Sequence, residues 1–340
     1  METREAVALD HRRPAESDAG TCEISIVVPA FNEAENLPKL VTLLCSHLQP
    51  LGTFEIIIVD DGSRDRTIAV LREAAKNDPA VQYLRLSRNF GHQAALRAGL
   101  AYARGQAVIS MDADLQHPVE LVGRMIEQWR MGNAVVTTTR QDPKNLSLFK
   151  RATSRAYYKL LNWLSDTKLE PGSADFRLLD RTVVDTINSL PEADLFFRTL
   201  IPWLGFQSAN IEYVANERLH GTSKYTLRKM TSLAISGIIA HSVMPLRFAM
   251  LLAAIVAGLT FAFVVYALFV VFAGGAVPGW ASVVVCVNLI GALQFIVLGV
   301  IGEYIGRILR ETRQRPSYIV AESSLTHASL HSTTSRHSAK

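Results

Sequence analysis

Between about Cys22 and Arg140 the chain is written in blocks of two kinds. Apolar runs of strand length, Ile24 to Pro29, Phe54 to Val59, Val81 to Leu86, Ala107 to Met111 and Ala134 to Thr138, are rich in Val and Ile. Between them, Glu35 to His47, Asp65 to Lys76, Gln93 to Ala103 and Pro118 to Met131 carry apolar residues at helical spacing. The strand runs are apolar throughout, so both faces of each are to be covered. Strands joined through helices in this way pair in parallel. The pattern predicts an α/β domain with a Rossmann-like, mostly parallel sheet.

Ligands of such sheets lie beyond the carboxyl ends of the strands. Each predicted strand ends in polar residues there: Pro29-Ala30-Phe31-Asn32-Glu33, Asp60-Asp61-Gly62-Ser63, Ser87-Arg88-Asn89, Asp112-Ala113-Asp114, and Arg140. Asp112 and Asp114, with Gln116 two residues further on, offer hard oxygen ligands that suit Mg²⁺ or Mn²⁺ bridged to a diphosphate. Taken alone, the same two acids read equally well as loop formers or a helix cap. Asp60-Asp61-Gly62-Ser63 is likewise either an acceptor for a base or ribose or a capped turn. No GxGxxG follows the first strand and no GxxxxGK[ST] occurs anywhere, which counts against a dinucleotide oxidoreductase and a P-loop NTPase.

Beyond Lys224 the pattern changes. Tyr225 to Met244 mixes apolar residues at helical spacing with Arg228, Lys229 and hydroxyl residues, as expected for a helix in a membrane interface. Then 55 residues, Phe248 to Gly302, contain no Asp, Glu, Lys or Arg. Within this region Leu246 to Phe272 and Ser282 to Ile301 are each long enough to cross roughly 30 Å of hydrocarbon, and two transmembrane helices are expected. The competing reading is a buried helical hairpin. The break between them, Ala273 to Trp280, is uncharged, whereas Arg228, Lys229 and Arg247 precede the pair and Arg307, Arg310, Arg313 and Arg315 follow it. The positive-inside rule places both flanks, and with them the α/β domain, in the cytoplasm. Gly291, Gly299, Gly302 and Gly306 allow close helix approach and so a homo-oligomer.

The net charge of +4 and pI of about 9.0 come largely from residues near these segments and the termini, so they are read as facing anionic lipid, and no nucleic-acid partner is expected. Cys22, Cys45 and Cys286 have no metal-site or disulfide spacing. The expected organisation is a tail over 1–21, the α/β domain over 22–223, a juxtamembrane helix over 224–245, the hairpin over 246–309 and a basic cytoplasmic tail over 310–340. That tail is expected to be disordered from about Glu322.

The segments VVPAFNE (Val27 to Glu33), DDGS (Asp60 to Ser63) and DAD (Asp112 to Asp114) resemble the family 2 glycosyltransferases of GT-A fold. RNFGHQAALRAGL (Arg88 to Leu100), FRLLDR (Phe176 to Arg181), HGTSKY (His220 to Tyr225) and EYIGR (Glu303 to Arg307) narrow this to the polyprenyl-phosphate glycosyltransferases. The resemblance implies that Pro29, Phe31, Glu33, Val59 and Asp61 contact the nucleotide. It further implies that Asp112, Ala113 and Asp114 touch diphosphate and metal with Gln116 as a further ligand, and that Arg140, Arg218 and Lys224 lie near the phosphates. Asp175 lies where a catalytic carboxylate is expected, to orient the acceptor or take up a residual proton; its plainer reading is a polar residue starting a strand. Asp114 and Arg140 complete the expected catalytic set. His92 stands where relatives carry Lys. The activity so implied is inverting transfer of one sugar, foremost glucose from UDP-glucose, to undecaprenyl or another polyprenyl phosphate in the cell inner membrane. GDP-mannose or a UDP-aminosugar as donor, or a catalytically silent scaffold, are the alternatives, and a tetramer is one form the oligomer can take.

Overall fold

The computed structural model describes residues 22–140, 173–192, 195–214, 244–272 and 279–325. The expected N-terminal tail, Arg218, Lys224, the stretch before Met244 where an interfacial helix is expected, the chain between the long helices over 273–278 and the last residues from 326 lie outside the described residues. Among those described, one sheet holds β1 (Ile24–Ala30), β2 (Phe54–Asp60), β3 (Val81–Leu86), β4 (Ala107–Ser110), β5 (Val135–Arg140), β6 (Ser173–Asp180), β7 (Ser208–Tyr213) and β8 (Val320–Ser323), in the order β7-β5-β6-β4-β1-β2-β3-β8. The helices are α1 (Leu37–Leu48), α2 (Thr67–Asn77), α3 (His92–Tyr102), α4 (Leu121–Arg130), α5 (Arg181–Ser189), α6 (Phe197–Leu204), α7 (Met244–Phe272) and α8 (Trp280–Thr312).

β1 pairs in parallel with β2 and β4, and β2 with β3. All seven residues of β1 are buried, which is why its sequence carries no polar alternation. Ile26, Val28, Ile56 and Ile58 face a core covered by α1, α2 and α4, while Val27, Ile57 and Val59 face one covered by α3, α5 and α6. In α1 the buried Leu37, Leu40, Leu44 and Leu48 recur at helical spacing behind Pro38, which is tolerated in the first turn. Truncating one of them to Ala is expected to cost about 2–5 kcal/mol.

Two strands run against the rest. β6 is antiparallel to both β4 and β5, so its amino end meets their carboxyl ends and brings Asp175 to the same edge as Asp112. β8 is antiparallel to β3 and corrects the expected disorder from Glu322. The Glu322 carboxylate accepts two hydrogen bonds from Arg72, at 2.8 and 2.6 Å, and one from Tyr83 Oη at 2.7 Å. Ser324 Oγ accepts from Tyr83 N at 2.8 Å. Pairing, not composition, makes this polar segment a strand.

α7 and α8 span 29 and 33 residues, or about 43 and 50 Å at 1.5 Å per residue. Where two spans were expected, one stretch among the described residues, Leu289–Gly306, is long and apolar enough to cross a membrane; Ala249–Ala262 is a shorter apolar helix. Phe261, Phe269, Phe272 and Phe295 are all exposed. The three cysteines are free.

Candidate active site

Register sets the carboxyl ends of β1, β2 and β4 side by side, with Pro29 opposite Val59 and Val27 opposite Ser110. The loops that follow are sewn together by their own polar groups. Asn32, in the left-handed region at φ 58°, accepts from Arg64 N through Oδ1 at 2.9 Å, while its N–H donates to Ser63 Oγ at 2.9 Å. Glu33 N donates to Thr67 Oγ1 at 3.0 Å, and the Glu33 carboxylate accepts from Asn36 Nδ2 at 2.6 Å. Asp60 is fully buried; its Oδ1 accepts from Ser63 N at 2.9 Å and its Oδ2 lies 3.6 Å from Arg85.

Asp61 turns the other way. Its two oxygens accept from Phe90 N at 2.7 Å and Gly91 N at 2.9 Å, which fixes the turn into α3. Burial raises its pKa against the pull of those two N–H groups. Gly62, at φ 67°, passes so close to the same turn that an added Cβ would stand 2.5 Å from the Arg88 carbonyl carbon. Side chains of Val59 and Ala113 lie in the core, so these two positions offer a ligand only backbone; Phe31 is exposed.

Beyond β4 the chain turns at Leu115, in the left-handed region at φ 62°, and Asp114 Oδ1 accepts from Gln116 N at 3.2 Å. His117 is buried, stacked on Phe176 at 4.9 Å and edge-on to Tyr213 at 6.1 Å. Its Nδ1 accepts from Asp112 N at 3.1 Å. Burial lowers its pKa, so the ring is neutral, with its proton on Nε2, 3.7 Å from Asp112 Oδ2. His117 thus braces the Asp112 turn. On the other side His92 Nε2 stands 3.7 Å from Asp112 Oδ1 and 3.5 Å from Asp175 Oδ2.

Asp175 is buried amid cations. Arg177, itself buried, donates to Oδ1, and Arg198 donates through Nε to Oδ1 at 3.2 Å and through Nη2 to Oδ2 at 2.9 Å. Burial alone would raise the pKa of this carboxyl; His92, Arg177 and Arg198 outweigh it and hold the group far below the usual carboxylate range. For His92 burial lowers the pKa, but the carboxylates of Asp175 and Asp112 prevail and the net direction is up. Ser110 Oγ donates to the Asp175 carbonyl at 2.7 Å, which pins this strand start to the end of β4. Arg140 closes β5, exposed and in register with Tyr213.

Residues 25–187 match the family model for glycosyl transferase family 2. The uncharacterized glycosyltransferase YkcC of Bacillus subtilis (strain 168) is 41% identical over 303 residues, spanning 88% of this chain and 94% of that one. The chain belongs to glycosyl transferase family 2. It is therefore a glycosyltransferase. The bactoprenol glucosyl transferase of Shigella phage SfX is 40% identical over 302 residues, 88% of this chain and 98% of its own length. Among solved structures, the mannosyltransferase PcManGT from Pyrobaculum calidifontis, in complex with GDP-Man and Mn²⁺, superposes with a TM-score of 0.48 at 16% identity, over 89% of this chain and 88% of that one.

In this family 2 glycosyltransferase the donor set suits a substrate-bridged divalent ion better than a protein cage. Among the described residues no three His, Cys, Asp or Glu close around a common point. Asp112 offers a carboxylate whose contacts with His92 and His117, both at 3.7 Å, are too long to be hydrogen bonds. One or two carboxylates completed by substrate phosphate oxygens are how Mg²⁺ is commonly held.

The structure brings Pro29, Phe31, Glu33, Val59, Asp61, Asp112, Ala113, Asp114, Gln116, Arg140 and Asp175 to one edge of the sheet. Missing from the expected set were His117, Arg177 and Arg198. For Arg198 a signal existed: it is the single charge in the otherwise apolar stretch Leu195 to Phe206.

Proposed function

We propose that the chain transfers one glucose from UDP-glucose to undecaprenyl phosphate or a similar polyprenyl phosphate, with inversion at the anomeric carbon. The ionised Asp175 carries this reading. A hydroxyl acceptor needs a base to take its proton, and a carboxylate held far below its ordinary range by two arginines and a histidine is a poor one. A phosphate acceptor is already anionic and needs none. The expected uptake of a residual proton by Asp175 is therefore set aside in favour of orienting the acceptor. The relatives named bactoprenol glucosyl transferase support the same choice of sugar and lipid.

On this reading Pro29, Phe31, Glu33, Val59 and Asp61 line the nucleotide pocket, the last chiefly by shaping the Phe90-Gly91 turn. Asp112, Asp114 and Gln116 would hold Mg²⁺ or Mn²⁺ on the diphosphate. A divalent ion there supplies charge neutralisation of the leaving group. Arg140, Arg218 and Lys224 add to it. Exposed apolar side chains on α7 and α8 need a solvent other than water, and both helices exceed the roughly 30 Å of a bilayer's hydrocarbon core. We infer a two-span protein of the cell inner membrane, its catalytic domain over 22–223 on the cytoplasmic face and its membrane hairpin over 246–309, assembling as a homo-oligomer.

The test is transfer by membranes given radiolabelled UDP-glucose, GDP-mannose and UDP-N-acetylglucosamine in parallel, with polyprenyl phosphate as acceptor. Label is expected in the lipid fraction from UDP-glucose. Preferential transfer from another donor would replace the sugar, and transfer to a soluble alcohol at an equal rate would replace the acceptor.

A further inference from the structure

In the turn that follows β4, half-buried and buried residues alternate. Asp112, Asp114 and Gln116 are half-buried, whereas Ala113, Leu115 and His117 are buried. The groups offered to the divalent ion thus stand in a row whose alternate members are pressed into the protein, and the seating of the inner row decides where the outer one stands. Ala113 and Leu115 are seated by packing in the core. His117 is the polar member of the inner row, with 6% of it exposed, and an apolar side chain there would be buried at less cost. The imidazole makes two contacts that an aliphatic side chain could not combine. Its face lies on Phe176, 4.9 Å between ring centres and 12° from parallel, and its Nδ1 accepts from Asp112 N at 3.1 Å.

Each of these partners is itself held. One residue before Asp112, Met111 N donates to Val27 O at 3.1 Å, so β1 fixes the chain up to the turn and His117 fixes the turn's first amide. On the other side the Phe176 carbonyl accepts from Thr138 Oγ1 at 2.7 Å and the Asp175 carbonyl from Ser110 Oγ at 2.7 Å, which ties this part of β6 to β5 and β4. We propose that His117 is a positioning residue for the divalent ion: accepting from Asp112 N while it lies on Phe176, it joins the Asp112-Asp114 turn to β6 and so sets how tightly the turn holds the ion. The ring itself is no ligand, because Nδ1 is taken by Asp112 N and the side chain is closed off from the surface. The inference rests on the reading of Asp112, Asp114 and Gln116 as ion ligands, and it adds the residue behind them.

Mn²⁺ binding by the purified full chain in detergent with UDP present, followed by electron paramagnetic resonance of the free ion, tests this without turnover. His117→Phe keeps a ring to lie on Phe176 and removes the acceptor. His117→Asn keeps an acceptor where Nδ1 stands and removes the ring. The Kd for Mn²⁺ is expected to rise about 10-fold or more in the Phe variant, as for other partners that orient metal ligands, and to stay within about threefold in the Asn variant. Thermal melting should rank the two the other way, with the Asn variant the less stable, because it loses the buried stack. A histidine that served packing alone would give wild-type affinity in the Phe variant. That result, or an equal loss of affinity in both variants, would overturn the proposal. Where the Phe variant does not fold, His117→Gln takes its place, since the longer side chain carries its acceptor toward the Nε2 position; wild-type affinity there would overturn the proposal equally. Where the Asn variant does not fold, the Phe variant decides alone. Wild-type protein that binds no Mn²⁺ with UDP would overturn the reading of the ion site itself, which separates the two failures.

Discussion

Asp114 and Asp175 carry the same functional group, and removing each should fail in a different way. Asp114→Ala takes away a carboxylate that accepts from Gln116 N at 3.2 Å and that is proposed to hold the divalent ion, so transfer should vanish while the melting temperature stays near that of the wild type. Full activity at saturating Mg²⁺ or Mn²⁺ would refute its role. Asp175→Asn strips the counter-charge from a buried arginine, a change that typically costs about 3–5 kcal/mol, so a lower melting temperature should accompany lost turnover. Donor KM should move less than kcat, since the donor is proposed to be held at the Asp112-Asp114 turn. Gly62→Ala combines a left-handed backbone with a clash against the Arg88 backbone, and neither can relax. Loss of soluble expression or of nucleotide binding is expected, and wild-type behaviour by both measures would mean the turn is looser than described.

At the scale of elements, the stability contributed by β8 should depend on pH. Hydrogen bonds from Arg72 and Tyr83 lower the Glu322 pKa from an ordinary 4.5 to about 2. A depressed carboxylate stabilises the fold above its unfolded value and loses that contribution as pH falls from there toward its folded value. The urea midpoint of Glu322→Gln should therefore lie below that of the wild type at pH 7, with the gap narrowing by pH 3; a gap independent of pH would show that the carboxylate is not what anchors the strand. The same element marks the limit of what the chain announces. β1 and β2 could be read directly because strands buried on both faces must be apolar throughout. The turn at Asp112 and Asp114 was legible because no core residue explains two acids at a strand end. β8, four residues of mixed polarity, is a strand only because β3 presents an open edge to it, and no local pattern records a partner more than 200 residues away. β6 hides for a related reason: Arg177 looks like a surface residue until Asp175 and the Phe197 carbonyl are brought around it.

For the whole molecule, the distribution of arginines around the two apolar segments sets a sided prediction. A cysteine introduced at Gly275 should react with a membrane-impermeant thiol reagent on intact cells, whereas cysteines at the exposed Arg64, beside Ser63, or at Ser317 should react only after the cells are opened. The reverse pattern would put the site on the wrong face for sugar nucleotides. The strand that follows α8 adds something about time. A ribosome completes residue 323 only after both long helices have been made, and until then β3 is the unfinished margin of the sheet, its N–H and C=O groups without a neighbour. On the proposed two-span topology, α8 returns its end to the side of the catalytic domain, and β8 can reach that margin. On that topology, failure of one of the two helices to cross would leave the last piece of the sheet on the far side of the membrane from β3, so completion of the sheet depends on both spans having formed.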